Sequence, residues 1–477
     1  MRRALSVLLL AGALSTPALA ANPLPPLFDD LQERTFRFFW ETANPENGLV
    51  PDRHPTPSFS SVAAVGFGLT AYPIGVERGY ITRAQAIERT LATLRFFRNA
   101  PQGEAKTGMT GHKGFFYHFL DMKTGQRHGD VELSTIDTAL FLAGALFAQS
   151  YFDREEPREV EIRRLAAEIY ARVDWKWAAA NSSTAAPAVS LGWKPEEGFI
   201  GYDWKGYNEA MLLYVLALGS PKPEHALGPE AWKAWTSTYE RSWGAPGYGE
   251  QRRPHLTFPS LFVHQYSHVW IDFRGIRDEY IRKVNEKYKG FDYFENSRRA
   301  TYAQRDYAIA NPLKCNGYGA DVWGLTASDG PVDATFEWQG QKIPFRSYAA
   351  RGMGGLQHYD DCTLAPTAVA GALPFAPEIT IPAVVAMKER YGDFIYGRYG
   401  FLDAFNPSFE FKGKLQHGKV VPGRGWVAGD YLGIDQGPIL AMTENYRNDF
   451  VWRVMRSNPA IRTGLIRAGF TGGWLAK

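Results

Sequence analysis

Four stretches of the chain place carboxylates against apolar runs. "DWKGYNEAMLLYVLALGSP" carries Glu209 at the edge of a segment that is apolar from Ala210 to Leu218. "HGDVELSTIDTALFLAGALF" carries Asp130, Glu132 and Asp137, "GDYLGIDQGPILAMTENY" carries Asp430 and Asp435, and "RYGFLDAFNPS" sets Asp403 in an aromatic, glycine-rich loop. A buried ionised carboxylate is unfavourable unless something pairs with it. Two carboxyl groups of unequal proton affinity are what glycosidic bond cleavage needs. One donates a proton to the leaving oxygen, and the other activates water or attacks the anomeric carbon. An apolar setting raises the first group's pKa and keeps it protonated near neutrality. Glu209 suits the acid role and Asp403 the base. Capping of a helix N-terminus explains any one of these acids equally well. It does not explain why Trp and Tyr crowd the same segments.

The elements that must carry these acids read as helices. Leu27 to Thr42, Thr82 to Asn99, Glu156 to Val173 and Pro229 to Arg241 are amphipathic. Val62 to Val76, Thr135 to Tyr151 and Gly206 to Leu218 are apolar nearly all round. Phe258 to Lys287, Asp292 to Ala310, Ala365 to Leu373, Glu378 to Tyr391, Ile434 to Asn445 and Phe450 to Arg456 follow. Alternation of the two kinds predicts an inner ring of buried helices wrapped by an outer ring. The expected fold is all-α, an (α/α)6 toroid with long loops and small β-hairpins at Gly114 to Met122 and Phe336 to Phe345. If inner helices run opposite to outer ones, acids distant in sequence meet at one mouth. The segment Pro51 to Pro57 reads as a connecting loop, and no linker divides residues 21–477, which are expected to form one catalytic domain.

The 477-residue chain opens MRRALSVLLLAGALSTPALA. A basic start, a short apolar run and Ala18-Leu19-Ala20 predict a cleavable signal peptide over residues 1–20 and a periplasmic or secreted product. The apolar run is too short to span a bilayer, so no membrane association is expected after cleavage. The formal net charge of +3, without a basic stripe, argues against a nucleic-acid partner. The 2 cysteines, Cys315 and Cys362, are free to form one disulfide in an oxidising compartment. No metal site and no cofactor are expected. Asp360 and Asp361 are adjacent without a spaced set of oxygen ligands, and capping of the helix after Ala365 is the simpler reading. With 14 Trp, 24 Tyr and 30 Phe, many in glycine-rich loops, the aromatic content fits stacking against the apolar faces of sugar rings.

The motifs "GHKGFFYHFLDMKTG", "ELSTIDTALFLAGAL", "GYNEAMLLYVLALGSP", "YGADVWGLTASDGP", "LAPTAVAGALPFAPE", "YGFLDAFNP" and "GIDQGPILAMTENY" resemble the glycoamylase-like family of secreted bacterial proteins. The resemblance runs from about Leu27 to Arg456. It implies an (α/α)6 barrel and an inverting, endo-acting hydrolase of β-1,2-glucan. It implies Glu209 of GYNEA as acid and Asp403 of GFLDAFN as base, with Asp137 of STIDTAL a further cleft acid and Glu132 beside it. Sugar contacts are expected from His112, Tyr117, His118, Trp204, Tyr207, Trp323, Asp329, Trp426 and Asp435, with Thr326 and Ser328 as further hydroxyl partners. His118 reads equally as a satisfied half-buried histidine, and the Asp329-Gly330 pair as a tight turn.

A monomer acting on a glucan is the expectation. The competing readings are an exo-acting relative or one acting on another, cyclic or substituted β-glucan. A polysaccharide lyase, which would need an acidic polymer, and a non-catalytic glycan-binding protein are the others. A binding protein keeps the aromatic residues but has no use for Glu209 and Asp403.

Overall fold

The computed structural model describes residues 23–179, 187–244, 252–354 and 358–476. The signal segment lies outside them. Helix accounts for 46% of the structure and strand for 15%, so the all-α expectation holds at the level of class.

Three long buried helices pack side by side because glycines let their backbones approach. Val62–Glu77 is capped by Ser61, whose hydroxyl accepts the Ala64 amide. Thr135–Tyr151 is capped by Ser134. A Cβ added at Gly66 would lie 2.3 Å from the Leu140 carbonyl oxygen, and one at Gly144 would lie 2.0 Å from that of Gly66. Only glycine permits such an approach. Gly433–Asn448 packs on the other side of Val62–Glu77.

Neighbour relations continue through shorter buried helices. Thr135–Tyr151 contacts Met211–Gly219, and Gly433–Asn448 contacts both Tyr266–Trp270 and Pro366–Ala370. The Leu212 amide donates to Ser267 Oγ at 3.0 Å, and Gln265 Nε2 donates to the Ala368 carbonyl at 2.7 Å. These bonds join the remaining neighbours, so the buried helices form a closed circuit. Leu27–Thr42, Arg83–Asn99, Pro157–Ala171, Pro377–Ile395 and Pro459–Arg467 lie against its outside.

Several expectations need correcting. Phe258 to Lys287 is not one helix. It divides into the 3₁₀ turn Leu261–His264, then Tyr266–Trp270 and Glu279–Lys287. Ile271 is extended, Gly275 has φ +76°, and Asp278 caps the last piece through the Ile281 amide. An apolar run buried on every side carries no period to mark such a break. The helix expected at Gly206 begins only at Met211, and Pro459–Arg467, capped by Asn458, was not expected. Ala334–Trp338 and Gln341–Phe345 do form the expected hairpin, turning on Gln339 and Gly340, both at positive φ.

Gly114 to Met122 does not form a hairpin on itself. Phe115–Tyr117 joins a five-stranded sheet with Gly111–His112, Leu133–Ser134, Gly192–Lys194 and Gly198–Phe199, while Phe119–Leu120 pairs with Ser60–Ser61. Arg53–His54 pairs with Tyr431–Leu432. Two-residue strands thus run directly into the buried helices at Val62, Thr135 and Gly433. This collar gathers one end of the helix circuit.

Candidate active site

Glu209 lies just before its helix. The N-terminal residue of that helix is capped by geometry at Ala210 without a side-chain bond. Asn208 Oδ1 instead accepts the Ala210 amide at 3.0 Å, and the Glu209 carbonyl accepts Ser267 Oγ at 3.1 Å. The main chain is held at both sides while the carboxyl group is left uncommitted to capping. Burial pushes its pKa up to about 7, with the nearby Asp137 charge acting in the same direction.

Asp137 sits in the first turn of Thr135–Tyr151 and accepts a short hydrogen bond from the Ser134 hydroxyl. His118 reaches it from the collar. Its Nδ1 is 2.9 Å from Glu132 Oε1 and its Nε2 is 3.6 Å from Asp137 Oδ1. The two carboxylates overcome burial and raise the imidazole to about 9, while the imidazolium holds Glu132 below its ordinary value. Asp137 moves up even so, because burial of its carboxyl outweighs the cation.

A second acid group faces this one. Asp403, buried at 2% exposure, accepts the Asp329 amide hydrogen on Oδ2 at 2.7 Å. Its own amide donates to the Asp430 carbonyl at 3.0 Å. Asp403 and Asp435 lie close enough to share a proton, and no donor from the described residues reaches Asp403 Oδ1 or Asp435 Oδ2. Burial raises both, Asp435 to about 7 and Asp403 well above the carboxylate range, the latter reinforced by Asp435 and Asp329. Two carboxyl groups this close do not both ionise readily. Asp329, fully buried, pairs with Arg53 Nη1 at 2.9 Å. Asp430 Oδ1 accepts the Thr56 amide at 2.8 Å, so it serves the collar.

The two groups lie around one buried phenol. Burial raises the Tyr266 phenol well above its ordinary value, and Asp435, Glu209 and Asp137 all add to that rise. Asp52 feels both His118 and Asp329. Asp137, Glu209 and Asp435, distant in sequence, are thus near one another, and Asp52 joins them without having been expected.

The aromatic expectations divide. Trp204 is half-buried and donates from Nε1 to Thr135 Oγ1 at 3.0 Å, beside the helix of Asp137. Tyr207 backs Glu209, its hydroxyl 3.1 Å from His264 Nδ1, and with Lys205, Asn208, Thr238, Arg241 and Phe258 it lines a cavity next to Glu209. His112 is nearly enclosed, stacked on Trp193 at 4.9 Å. Four residues do not fit the sugar-contact role. Tyr117, Trp323, Trp426 and Asp329 are each 0% exposed. Tyr117 packs beneath Arg127, Trp323 sits in a core cluster, and Trp426 donates from Nε1 to the His417 carbonyl. Aromatic residues in short collar strands point inward as often as outward, and sequence spacing does not distinguish the two.

Other readings resolve as follows. Thr326 accepts the Phe262 amide and Ser328 accepts Arg351, so both are structural. Asp329 is not a turn residue but the end of strand Ala327–Asp329, facing Arg53. Asp361 does not cap the following helix, whose N-terminus has no side-chain cap. It forms a fully buried pair with Arg351, while Asp360 accepts Tyr307 and Tyr318 hydroxyls. Cys315 and Cys362 are bonded.

Asp52, Arg53, Tyr266, His417 and Tyr348 were not anticipated. Tyr348 is 52% exposed as a residue, yet burial of its phenol raises its pKa, and Asp435, Asp403, Asp52 and Asp329 add to the rise. It stands at the open side of the acid group. A tyrosine brought only by folding beside Asp329 of "SDG" and Asp403 of "GFLD" leaves no local signal. Asp52 and Arg53 did carry one, a charge pair inside a loop read as a connector.

Such a site can donate a proton from Glu209 and accept one at the Asp403–Asp435 pair, across a mouth edged by Tyr348 and Trp204. Among the described residues no group of three or more His, Cys, Asp or Glu is arranged to hold a metal ion.

The family model "Glycoamylase: Putative glucoamylase" matches residues 201–459. An exo β-1,2-glucooligosaccharide sophorohydrolase (non-reducing end) of Parabacteroides distasonis is 29% identical over 470 residues. The alignment covers 92% of this chain and 57% of that protein, so the chain spans little more than half of that relative. An endo-β-1,2-glucanase from Chitinophaga pinensis, solved with sophorotriose and glucose, superposes with TM-score 0.77 at 26% identity, covering 94% of this chain and 99% of that one. A β-1,2-glucanase from Parabacteroides distasonis gives TM-score 0.76 at 28% identity, covering 93% and 60%.

Proposed function

Because the chain belongs to the Glycoamylase family, we propose that it is a glycoside hydrolase cleaving β-1,2-glucan within the chain, with inversion at the anomeric carbon. The observation that carries the reading is the pairing of a near-neutral carboxylic acid, Glu209, with a proton-sharing carboxyl pair across one mouth. Glu209 donates its proton to the glycosidic oxygen as that bond breaks. A water attacks the anomeric carbon from the opposite face, and its proton passes to the Asp403–Asp435 pair, which holds one negative charge beforehand. The oxygen of water becomes the new anomeric hydroxyl, so a β-linkage yields an α-product. Burial keeps Glu209 protonated, with the Asp137 charge adding to it, and Tyr348 and Trp204 offer faces to the sugars.

The circuit of buried helices, with the outer helices against it, supports a single (α/α)6 toroid. An exported location belongs to the same proposal. It rests on the opening segment and on the Cys315–Cys362 bond, which suits an oxidising compartment. Endo action is favoured because the relative named endo matches this chain nearly end to end. Release of sophorose from the non-reducing end is the second reading, favoured by the sophorohydrolase. Linear and cyclic β-1,2-, β-1,3-, β-1,4- and β-1,6-glucans, with products sized over time, test the proposal. Mixed lengths appearing early from the β-1,2 polymer support it. Disaccharide alone from the start favours the second reading, and cleavage only of another linkage overturns both.

A further inference from the structure

The base side of the site is held by a segment distant from Asp403 and Asp435 in sequence. Arg53 Nη1 and Nη2 donate to Asp329 Oδ2 and Oδ1 at 2.9 and 3.4 Å. Asp329 in turn donates its amide hydrogen to Asp403. From its main chain the same segment reaches the other carboxyl. The Asp52 carbonyl accepts the Gly433 amide at 2.8 Å, and Arg53 and His54 pair with Leu432 and Tyr431, at the start of the helix that bears Asp435. One three-residue arm, Asp52 to His54, therefore fixes both members of the proton-sharing pair, one through a side chain and the other through the backbone.

We propose that Arg53 is a positioning residue for the base, setting the distance and the field in which Asp403 and Asp435 share their proton. The groups facing the guanidinium are Asp329, Asp52 at 3.4 Å, Asp430 at 3.9 Å and His417 Nδ1 at 3.4 Å, with the Tyr348 phenol beyond. His118 faces Asp52 from the opposite side. Acids thus outnumber cations around the pair. Removing the guanidinium leaves the anions uncompensated and makes Asp403 and Asp435 hold protons more tightly. A bidentate fork also fixes the orientation of Asp329, which a single ammonium cannot do.

The inference rests on the hydrolytic reading above, and one readout is independent of it. In Arg53→Gln the acid limb of kcat/KM moves to higher pH by about one unit, kcat falls most at low pH, and KM changes little. Arg53→Lys keeps the charge and returns the limb most of the way. Asp329→Asn removes an anion instead and moves the limb to lower pH, which provides the test if Arg53→Gln does not fold. Carboxyl 13C titration of aspartate-labelled protein reads the same shifts without substrate, the two signals being identified by their loss in Asp403→Asn and Asp435→Asn. Opposite movements in Arg53→Gln and Asp329→Asn support the proposal. An unmoved limb and unmoved carboxyl titration in either variant, with only a lower Tm, overturn it. Failure of the wild type to cleave any β-1,2-glucan, with the carboxyl shifts as expected, overturns the substrate reading alone.

Discussion

Asn208 accepts the Ala210 amide at 3.0 Å, and that bond removes the need for Glu209 to cap the helix beginning at Met211. The acid next to an apolar helix is thereby free of a capping role, and burial leaves its pKa raised. General acid catalysis contributes roughly 10²–10⁴-fold. Glu209→Gln is therefore expected to lower kcat by about that factor while leaving KM and the circular dichroism spectrum unchanged. Steady-state kinetics on β-1,2-glucan checks this.

The same carboxyl makes stability depend on pH. Its folded pKa of about 7 lies above the ordinary value of 4.5, so the protonated form is the one the fold favours. Its contribution is fully present below pH 4.5 and is lost as pH rises through about 7. Glu209→Gln should gain Tm relative to wild type between pH 5 and 8.5, read by calorimetry. The wild-type rate should fall above about pH 7 as the acid deprotonates.

His118 has the same sign for a different cause. Held between Glu132 and Asp137, it binds its proton more tightly in the fold, to about 9 against 6.5. The stability from this arrangement is complete below pH 6.5 and disappears as pH rises through about 9. The Tm difference between wild type and His118→Gln should shrink over that interval.

The proton-sharing pair is resolved by two isosteric changes. An asparagine at 435 supplies a permanent donor to Asp403 and leaves it ionised, so Asp435→Asn should retain activity within about tenfold. Asp403→Asn removes the base and should cost about 10²–10⁴-fold. The reverse ranking would assign the base to Asp435.

The buried Arg351–Asp361 pair, both 0% exposed at the side chain, anchors the Tyr348–Ala350 strand and the Asp329 strand it pairs with. Breaking a buried pair from one side costs about 3–5 kcal/mol. Arg351→Met should lower the unfolding free energy by that amount in urea titration, and double replacement by apolar residues should recover much of it.

What was legible in the chain follows from what is periodic. Leu27–Thr42 and Thr135–Tyr151 end where hydrophobic spacing and flanking residues end them. Glu209, Asp403 and Asp137 were legible because a carboxylate beside an apolar run is physically unusual. Tyr266 and Tyr348 were not, since their importance comes from contacts with residues distant in sequence, and the Asp52–Arg53 charge pair was passed over as part of a connecting loop. Trp323 and Trp426 misled because a tryptophan in a glycine-rich loop has the same composition whether its ring faces sugar or core. The split of Phe258 to Lys287 was hidden because burial on all sides erases the helical period.

The stereochemistry of the first product tests the central claim most directly. Proton NMR of linear β-1,2-glucan during the first turnovers should show the α-anomer of the new reducing end appearing ahead of mutarotation, and no product with Glu209→Gln. A β-anomer appearing first, or undiminished cleavage by Glu209→Gln, would contradict the pairing of Glu209 with the Asp403–Asp435 base.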